Sequence, residues 1–210
     1  GGFHRAHMAR YTHDLMGLDQ GALQWGIKGA GLRASDKGLL DALAAQDGLY
    51  SLIEREGECE KRTVIGSIVS VIDASASAGV LLAAIDAPET RIVSMTVTEN
   101  GYHLDQATKT LNFNSPDILA DLADPERPRT VPGILVEAYR RRWRLGLPAF
   151  TALCCDNIQH NGNVLKGLVL AFANRADPAL ARWIEANASF PNSMVDRITP
   201  WFVPAVMALA

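Results

Sequence analysis

The amino-acid sequence predicts an α/β fold, in which a doubly wound and mainly parallel sheet carries helices on both faces. Short apolar runs rich in β-forming residues alternate along the 210 residues with segments of helical hydrophobic period. Strands that alternate with helices of about 10 to 15 residues build βαβ units and therefore parallel sheets. Hydrophobic residues make up 48% and charged residues 20%, which is ordinary for a globular domain.

The predicted strands are apolar or β-rich runs bounded by polar or glycine-containing turns. A polar stretch at 54–62 separates the second run from the third and predicts a local hairpin. The fourth run (RIVSMTV) and the fifth (AFTALCC) are apolar enough to be buried. The five runs cover residues 23–30, 50–53, 63–71, 91–97 and 149–155.

The predicted helices have apolar residues at the spacing of one helical face. The last of them has Pro178 near its start, where proline is favoured, and Trp183 on its apolar side. In a sheet of this class, ligands bind beyond the carboxyl ends of the strands, so the strand ends are where site residues are expected. The six helices cover residues 5–16, 36–46, 75–85, 132–145, 163–173 and 178–188.

The chain opens on Gly1-Gly2-Phe3-His4, directly before the first predicted helix. Two glycines before a helix let backbone amides approach a pyrophosphate at the positive helix end, although an ordinary turn uses the same residues. Such a nucleotide-binding turn should follow a buried strand of about five or six residues. No residue precedes Gly1, so we expect that the first strand of the sheet is missing and that the sequence is a fragment.

The second predicted strand end supports a dinucleotide site. Gly29-Ala30-Gly31 leads to Asp36, and an acidic residue beyond this strand can bind the adenosine ribose 2′-hydroxyl. A carboxylate there also repels a 2′-phosphate, which favours NAD over NADP. The alternative is that Asp36 only caps the helix that begins at Lys37.

Polar clusters also follow the two apolar strands. Thr98-Glu99-Asn100-Gly101-Tyr102 comes after the fourth strand, and Asp156-Asn157 with His160 to Asn163 comes after the fifth. Such clusters suit a binding site, but helix caps and turns use the same residues. Asn157 cannot act as a base, although it can donate a hydrogen bond to negative charge developing on an oxygen.

Charge and hydropathy argue against two classes of partner. A formal net charge of −3 offers no footprint for nucleic acid. The one basic run, Arg140 to Arg142 with Arg144, lies late in a predicted helix, and we interpret it as a solvated face. No apolar run of roughly 18 residues occurs, so no membrane partner is expected. Residues 201–210 are an apolar tail too short to span a bilayer.

The histidines and cysteines predict neither a metal site nor a disulfide framework. His4-x-x-His7 has helical spacing, but the nearest acidic residue, Asp14, lies about 10 Å further along the axis, so no ligand set is complete. Three cysteines without regular spacing fit a reducing compartment, so a cytoplasmic protein is expected. We interpret Cys154-Cys155 as small buried hydrophobic residues, the alternative being a reactive pair.

Six strings, taken together in this order, resemble one family. Its strongest match is FPNSMVDRITP, which corresponds to the family's signature pattern. Over nearly all of residues 1–200, the chain resembles the polyol-specific long-chain dehydrogenases, the mannitol dehydrogenase family. The strings are FHRAH (3–7), QDGLYSL (46–52), RTVIGSI (62–68), RIVSMTVTENGY (91–102), CDNIQHNGN (155–163) and FPNSMVDRITP (190–200).

The resemblance implies a metal-independent, NAD(P)-dependent oxidation of a secondary alcohol on a sugar alcohol. It implies a Rossmann-type NAD-binding domain over residues 1–200. The implied cofactor contacts are the Gly1-Gly2-Phe3 turn and His4 at the pyrophosphate, Asp36 at the adenosine ribose, and Thr98-Glu99 near the nicotinamide. Asn157 matches an asparagine that holds the substrate oxygen beside the cofactor, and Asp196 matches an acidic residue at the edge of the active site.

Two departures from the family pattern bear on activity. The strand and first glycine of the family's turn do not precede Gly1, and the family's catalytic lysine motif, K-x-x-x-x-N-x-x-H, occurs nowhere in the sequence. General base catalysis therefore has no candidate, and the family's helical C-terminal domain is expected to be absent. We expect a mannitol 2-dehydrogenase-like enzyme acting on mannitol and fructose. The alternatives are a fructuronate reductase, an arabinitol 4-dehydrogenase, or an inactive NAD-binding fragment; the oligomeric state is left open.

Overall fold

The computed structural model describes residues 2–195, apart from the side chain of Glu99. This part of the chain forms two compact units, unit 1 over residues 2–76 and unit 2 over residues 77–195. Each unit contains a parallel pair of strands with helices packed against it. None of the helices in the described part is both long and apolar enough to cross a membrane.

Six strands between residues 2 and 195 form three two-stranded sheets. They are β1 (Ile27–Gly31), β2 (Tyr50–Glu56), β3 (Cys59–Ile65), β4 (Ile68–Asp73), β5 (Ile92–Met95) and β6 (Thr151–Cys154). In unit 1, β1 pairs in parallel with β4, and β2 pairs antiparallel with β3. In unit 2, β5 pairs in parallel with β6. The predicted parallel pairing and the predicted hairpin are both confirmed.

Seven α-helices lie in the same part of the chain. They are α1 (Ala9–Leu18), α2 (Lys37–Ala44), α3 (Gly79–Ile85), α4 (Pro116–Ala123), α5 (Val131–Arg144), α6 (Asn161–Ala176) and α7 (Pro178–Asn187). A π-helical turn, His4–Met8, leads into α1. Side-chain caps define where two of these helices begin. The Thr130 side chain accepts from the Gly133 N–H at the start of α5, and the Asp177 side chain accepts from two N–H groups at the start of α7.

Unit 1 holds its helix and strands together through buried polar contacts. The Ser67 hydroxyl, fully buried, donates to the Ala9 carbonyl at 2.6 Å, and the Tyr50 hydroxyl donates to the Arg5 carbonyl at 2.6 Å. Ala9 packs in a small apolar cluster with Ile65 and other residues of the strands. The N-terminal helix is thereby fixed to the strand layer of its own unit.

Unit 2 contains the larger apolar core, built on α5, α6 and the β5–β6 pair. The rings of Tyr139 and Phe150 stack with centroids 4.1 Å apart, and the Tyr139 hydroxyl donates to the Phe150 carbonyl. A buried carboxylate, Asp121, accepts hydrogen bonds from the Arg129 and Thr130 N–H groups and from the Thr130 hydroxyl. Asp121 therefore anchors the connection between α4 and α5 well inside this unit.

The solvated-face interpretation of the arginine run is wrong for two of its residues. Arg142 is 1% exposed, and its guanidinium donates to the carbonyls of Ile85, Ala87, Thr90 and Pro148. A planar fork with five N–H donors can satisfy several buried carbonyls together. Arg140 is also buried and forms an ion pair with a glutamate one turn earlier; Arg144 alone of the run is largely exposed.

The structure also differs from the predicted helices and strands in three places. The first predicted strand begins at Ile27 rather than at residue 23, because Asp19 accepts from the Gly21 N–H and starts a 3₁₀ turn, Gln20–Gln24. The β-rich run at 63–71 divides at Gly66-Ser67 between β3 and β4, which lie in different sheets. Helix α4 lies between residues 97 and 132, where no helix was predicted.

Candidate functional site

The carboxyl ends of β5 and β6 lie at the same edge of unit 2. The two strands pair in parallel from Ile92 opposite Thr151 to Met95 opposite Cys154, so they end level with each other. The polar clusters predicted after these strands, at 98–102 and 156–163, therefore leave the sheet side by side. Ligands of α/β sheets bind at this kind of edge.

Asp156 joins the two strand-end loops. Its carboxylate accepts from the Val97 N–H at 2.9 Å and from the Thr98 N–H at 3.1 Å, one oxygen to each. The oxygen that faces Val97 also accepts from the Tyr102 hydroxyl at 2.5 Å. These donors are 54 to 59 residues away in the sequence, and hydrogen bonds to an ionised acceptor are the stronger kind.

Thr98 has an unusual backbone conformation, with φ 68° and ψ 159°. This region of conformational space is populated almost only by glycine, and a β-branched residue there is a genuine outlier. Such a residue costs on the order of 1–3 kcal/mol and persists only where its surroundings hold it. The hydrogen bond from the Thr98 N–H to Asp156 is one such restraint.

Tyr102 remains a hydrogen-bond donor at physiological pH. Burial raises the pKa of its phenol well above the ordinary range, and the hydrogen bonds to Asp156 and Cys154 raise it further. The Cys154 sulfur lies 3.0 Å from the phenol oxygen. Burial raises the pKa of Cys154 and brings that of Cys155 to about 11. The prediction that these cysteines are inert small residues agrees with their burial and raised pKa values.

Asn161 ties the loop after β6 to the segment that precedes the signature aspartate. Its buried side-chain amide donates to the Asp156 carbonyl and to the Ser193 carbonyl and hydroxyl. Its oxygen accepts from the Ser193 N–H at 2.9 Å. The Ser193 hydroxyl in turn donates to the Cys154 carbonyl at 2.6 Å. The peptide that carries Asn157 is therefore fixed at its Asp156 end.

The N-terminus of α6 is capped from a distant part of the chain. The Asn192 side-chain oxygen accepts from the Gly162 N–H at 2.9 Å and from the Asn163 N–H at 3.2 Å. His160, the residue at the cap position itself, makes no side-chain capping bond. Gly162 permits this approach, since a β-carbon there would stand 2.3 Å from the Pro191 carbonyl oxygen. Helix α6 therefore begins with a cap that Asn192 supplies, and no residue of the cluster supplies it.

Of the two candidate catalytic residues, Asn157 lies within the described residues and Asp196 lies outside them. Asn157 is exposed next to Asp156, and its side chain makes no hydrogen bond with the residues between 2 and 195. It is available to a ligand. Asp196 lies outside the described residues, although Ser193, three residues earlier, is docked on Asn161.

In unit 1, Asp36 follows the carboxyl end of β1 but does not cap α2 with its side chain. Its carboxylate instead accepts from the Arg33 N–H at 3.2 Å and from the Arg33 guanidinium at 3.1 Å. Partial burial opposes ionisation of Asp36, but the Arg33 contacts outweigh it and lower its pKa. A β-carbon at Gly31 would meet the Asp36 β-carbon at 2.8 Å, so a glycine lets this carboxylate approach the strand end.

The glycine-containing turn at the start of the chain is already helical where the structure describes it. Gly2 and Phe3 have helical conformations, with Phe3 at φ −53° and ψ −48°, and Gly1 lies outside the described residues. The first N–H groups of a helix lack carbonyl partners and attract anions. Burial lowers the pKa of His4 to about 4, so this imidazole is neutral at physiological pH.

The ring of His7, in the His4-x-x-His7 spacing, packs at tilted angles against two aromatic rings of the same helical segment. The ring of His7 lies 4.9 Å from that of Phe3 and 6.3 Å from that of Tyr11. Asp14 is engaged by Arg10 at 2.8 Å. Within residues 2–195, no group of three or more His, Cys, Asp or Glu side chains is arranged to hold a metal ion.

The sequence-predicted residues thus separate into two groups. Gly2, Phe3, His4 and Asp36 belong to unit 1, and Thr98, Glu99 and Asn157 belong to unit 2. Sequence reasoning assigned no role to Asp156, Asn161, Asn192 or Ser193, which build the hydrogen-bond network of unit 2. The signal that could have found them is their presence in the strings CDNIQHNGN and FPNSM.

Known proteins similar to this chain are mannitol 2-dehydrogenases. That of Phaeosphaeria nodorum is 46% identical over 201 residues, which are 95% of this chain and 35% of the relative. That of Cereibacter sphaeroides is 42% identical over 210 residues, which are 100% of this chain and 44% of the relative. The chain therefore spans less than half the length of these relatives.

Two solved structures match the whole chain. The ternary complex of Pseudomonas fluorescens mannitol 2-dehydrogenase with NAD and D-mannitol has a TM-score of 0.93 and 44% identity, and 42% of that protein is covered. D-Sorbitol dehydrogenase in its substrate-free form has a TM-score of 0.92 and 42% identity, with 43% covered. These likenesses confirm the predicted α/β, Rossmann-type fold. The family model for the mannitol dehydrogenase Rossmann domain matches residues 1–207, and the chain belongs to the mannitol dehydrogenase family.

Proposed function

We propose that this chain is the NAD-binding domain of a polyol dehydrogenase that interconverts mannitol and fructose. The observation that carries the proposal is the likeness, at a TM-score of 0.93 over the whole chain, to a mannitol 2-dehydrogenase in complex with NAD and D-mannitol. In this proposal, residues 1–200 form the cofactor-binding domain. The activity requires further protein, since the sequence lacks the K-x-x-x-x-N-x-x-H motif.

The residues of unit 1 have the chemistry that an adenine dinucleotide needs. Asp36 is ionised and partly exposed at the end of β1, where a carboxylate can accept from a ribose 2′-hydroxyl. The first N–H groups of a helix can receive an anion, and in this proposal the turn Gly1-Gly2-Phe3 and His4 bind the pyrophosphate. A neutral His4 adds a hydrogen-bonding group without adding charge.

The residues of unit 2 have roles nearer the reacting atoms. Thr98 and Glu99 would border the nicotinamide end of the cofactor, and the exposed amide of Asn157 would donate to the alcohol oxygen as negative charge develops there. Asp196 would stand at the edge of the same site. NAD, when bound, supplies the acceptor for the hydride that leaves the carbinol carbon. The proton of the hydroxyl group passes to a base outside this chain.

The proposal is tested by measuring NADH formation in the full-length protein that contains this chain. Mannitol and arabinitol are offered as alcohols, and fructose and fructuronate are offered with NADH in the reverse direction. We expect mannitol and fructose to give the highest kcat/KM. A preference for arabinitol or fructuronate would replace the mannitol assignment, and NAD binding without turnover of any of them would make the protein a binding module.

The 210-residue chain alone serves as the matched control. We expect no mannitol-dependent NADH formation from it, because the family's lysine motif does not occur in it and Asn157 cannot act as a base. Turnover by this chain would contradict the need for an external base. The three unpaired cysteines support a reducing, cytoplasmic location, and fractionation of cells expressing the protein would test that location.

A further inference from the structure

We propose that Asp156 is a positioning residue of the dehydrogenase site, which holds Thr98 in its strained conformation and so orients the loop after β5. This inference rests on the proposed function. In the proposal, Asp156 touches neither substrate nor cofactor. It acts through the backbone of the loop that carries Thr98 and Glu99 and through the peptide that carries Asn157.

The first support is where the hydrogen bonds of Asp156 lie. The carboxylate holds the Val97 and Thr98 N–H groups, at 2.9 and 3.1 Å, immediately after one strand. The Asp156 carbonyl accepts from Asn161 at 3.1 Å, immediately after the neighbouring strand. One residue therefore fixes both loops that leave the ligand-binding edge of unit 2, and its own position is fixed by the buried Asn161 side chain.

The second support is the backbone strain that this residue restrains. At φ 68° and ψ 159°, Thr98 occupies a region that a β-branched side chain does not adopt without external restraint. The Thr98 N–H points to an Asp156 oxygen in this conformation. Strained residues cluster at functional sites because the fixed geometry is part of the mechanism. A relaxed Thr98 would turn the following residues in another direction.

The third support is that both carboxylate oxygens of Asp156 accept hydrogen bonds from the protein itself. Its two oxygens accept two N–H groups and one phenol hydroxyl, and the buried Tyr102 keeps its proton at physiological pH. This arrangement suits a fixed anchor and does not suit a general base.

The test compares Asp156→Asn with wild type in the full-length enzyme. An amide has one oxygen, so its NH2 group faces one of the backbone N–H donors and that bond is lost. We expect kcat/KM for mannitol oxidation to fall about tenfold to a hundredfold, mainly through kcat, because misplacement by about 1 Å has an effect of this size. Circular dichroism and the unfolding temperature are measured in parallel.

A rescue variant separates positioning from plain stability. Thr98→Gly removes the conformational strain, since glycine adopts positive φ without cost. We therefore expect the double variant, Asp156→Asn with Thr98→Gly, to recover at least about threefold of the lost kcat/KM. If the double variant is no more active than Asp156→Asn, Thr98 strain is not what Asp156 controls, and the inference is wrong.

Asp121→Asn is the matched control. Asp121 likewise accepts from two backbone N–H groups and one hydroxyl, but it anchors the α4–α5 connection. We expect this variant to lower the unfolding temperature, to leave kcat and KM unchanged for the folded fraction, and to gain nothing from Thr98→Gly. A fall in kcat equal to that of Asp156→Asn would assign both residues to stability alone.

Tyr102→Phe is a second variant that tests the role of Asp156 if Asp156→Asn does not fold. It removes one donor and leaves both backbone bonds, so we expect a fall in kcat of only about twofold to fivefold at an unfolding temperature within a few degrees of wild type. An unchanged kcat would contradict the inference. An inactive wild-type enzyme would instead contradict the proposed function.

Discussion

Asp36 and Asp156 are both carboxylates that follow a parallel strand, and they are held in opposite ways. The partner of Asp36 is Arg33, three residues earlier, whose side chain is 76% exposed. The partners of Asp156 are 54 to 59 residues away. Exposed ion pairs contribute little to stability. Asp36 is therefore held by a weak local contact, whereas Asp156 joins segments that lie far apart in the sequence.

The difference is one of sequence distance within each unit: Asp36 in unit 1 is held by a neighbouring residue, whereas Asp156 in unit 2 is held by distant segments. The hydrogen bonds that Asp36 accepts within residues 2–195 come from Arg33, three residues earlier. Those of Asp156 need the loop after β5, the start of α6 and the segment from Asn192 to Ser193. Changes that undock this segment should therefore disturb unit 2 and leave recognition at Asp36 intact.

The largest expected effect is that of Gly162→Ala. The added β-carbon would lie 2.3 Å from the Pro191 carbonyl oxygen and 2.5 Å from that of Phe190, and backbone atoms cannot simply move aside. We expect a loss of about 2–3 kcal/mol in the free energy of unfolding, as for other overpacked positions. Urea denaturation followed by circular dichroism measures this loss.

Gly167→Ala, in the same helix, is the control. Nothing lies within 4 Å of the position that its β-carbon would occupy. The substitution should stabilise the protein by roughly 0.5–1 kcal/mol, because alanine favours helix more than glycine does. If the two substitutions change the free energy of unfolding equally, Gly162 is not needed for the close approach of Phe190 and Pro191 to helix α6.

The next effect concerns the choice of cofactor. Asp36→Ala removes the proposed acceptor of the ribose 2′-hydroxyl and the repulsion of a 2′-phosphate, and it leaves Arg33 without its carboxylate partner. We expect NAD affinity to fall about tenfold to a hundredfold, as for loss of a charged hydrogen bond, and the NAD/NADP preference to shift toward NADP. Steady-state KM values for both cofactors in the full-length enzyme measure the shift.

Arg33→Ala separates the two residues. An exposed partner contributes little, so NAD affinity should change less than about threefold. The double variant should bind NADP more weakly than Asp36→Ala, because a nearby arginine can accommodate the 2′-phosphate. If Asp36→Ala leaves the preference for NAD over NADP unchanged, Asp36 does not select the cofactor and only forms its contact with Arg33.

A separate effect, seen only as the pH is changed, arises at the start of unit 1. The pKa of His4 is about 4 in the folded protein against an ordinary value of 6.5. The unfolded chain therefore takes up a proton first as the pH falls, so stability is lost between pH 6.5 and about 4. His4→Gln should flatten this part of the curve of unfolding temperature against pH. An identical slope in the variant would mean that His4 is accessible to protons when folded.

Local patterns predicted most of the fold because helix and strand periods depend on neighbouring residues. Helices α5, α6 and α7 begin and end within about three residues of the predicted positions. The errors lie where a side chain or a distant segment determines the local structure. Asp19 starts a 3₁₀ turn within the first predicted strand. Ser67 donates to the Ala9 carbonyl at the point where one β-rich run divides between two sheets.

The site was predicted only in part, for the same reason. Asp36 stands at a fixed place after a glycine-rich strand end, so its position could be inferred from spacing. Asp156 and Arg142 could not be assigned, because their roles depend on acceptors and donors more than 50 residues away. An arginine in a basic run looks solvated until the carbonyls that surround it are known.

The Ser189–Ser193 segment has one more consequence, for self-association. Ser189 bridges to Thr151 in parallel, and the Ala152 N–H donates to the Ser189 carbonyl, so the segment covers the outer edge of β6. An uncovered strand edge is a template on which a second chain can pair, and natural sheets block such edges. The segment that leads into the family signature therefore also shields the edge of β6 from pairing with a second chain.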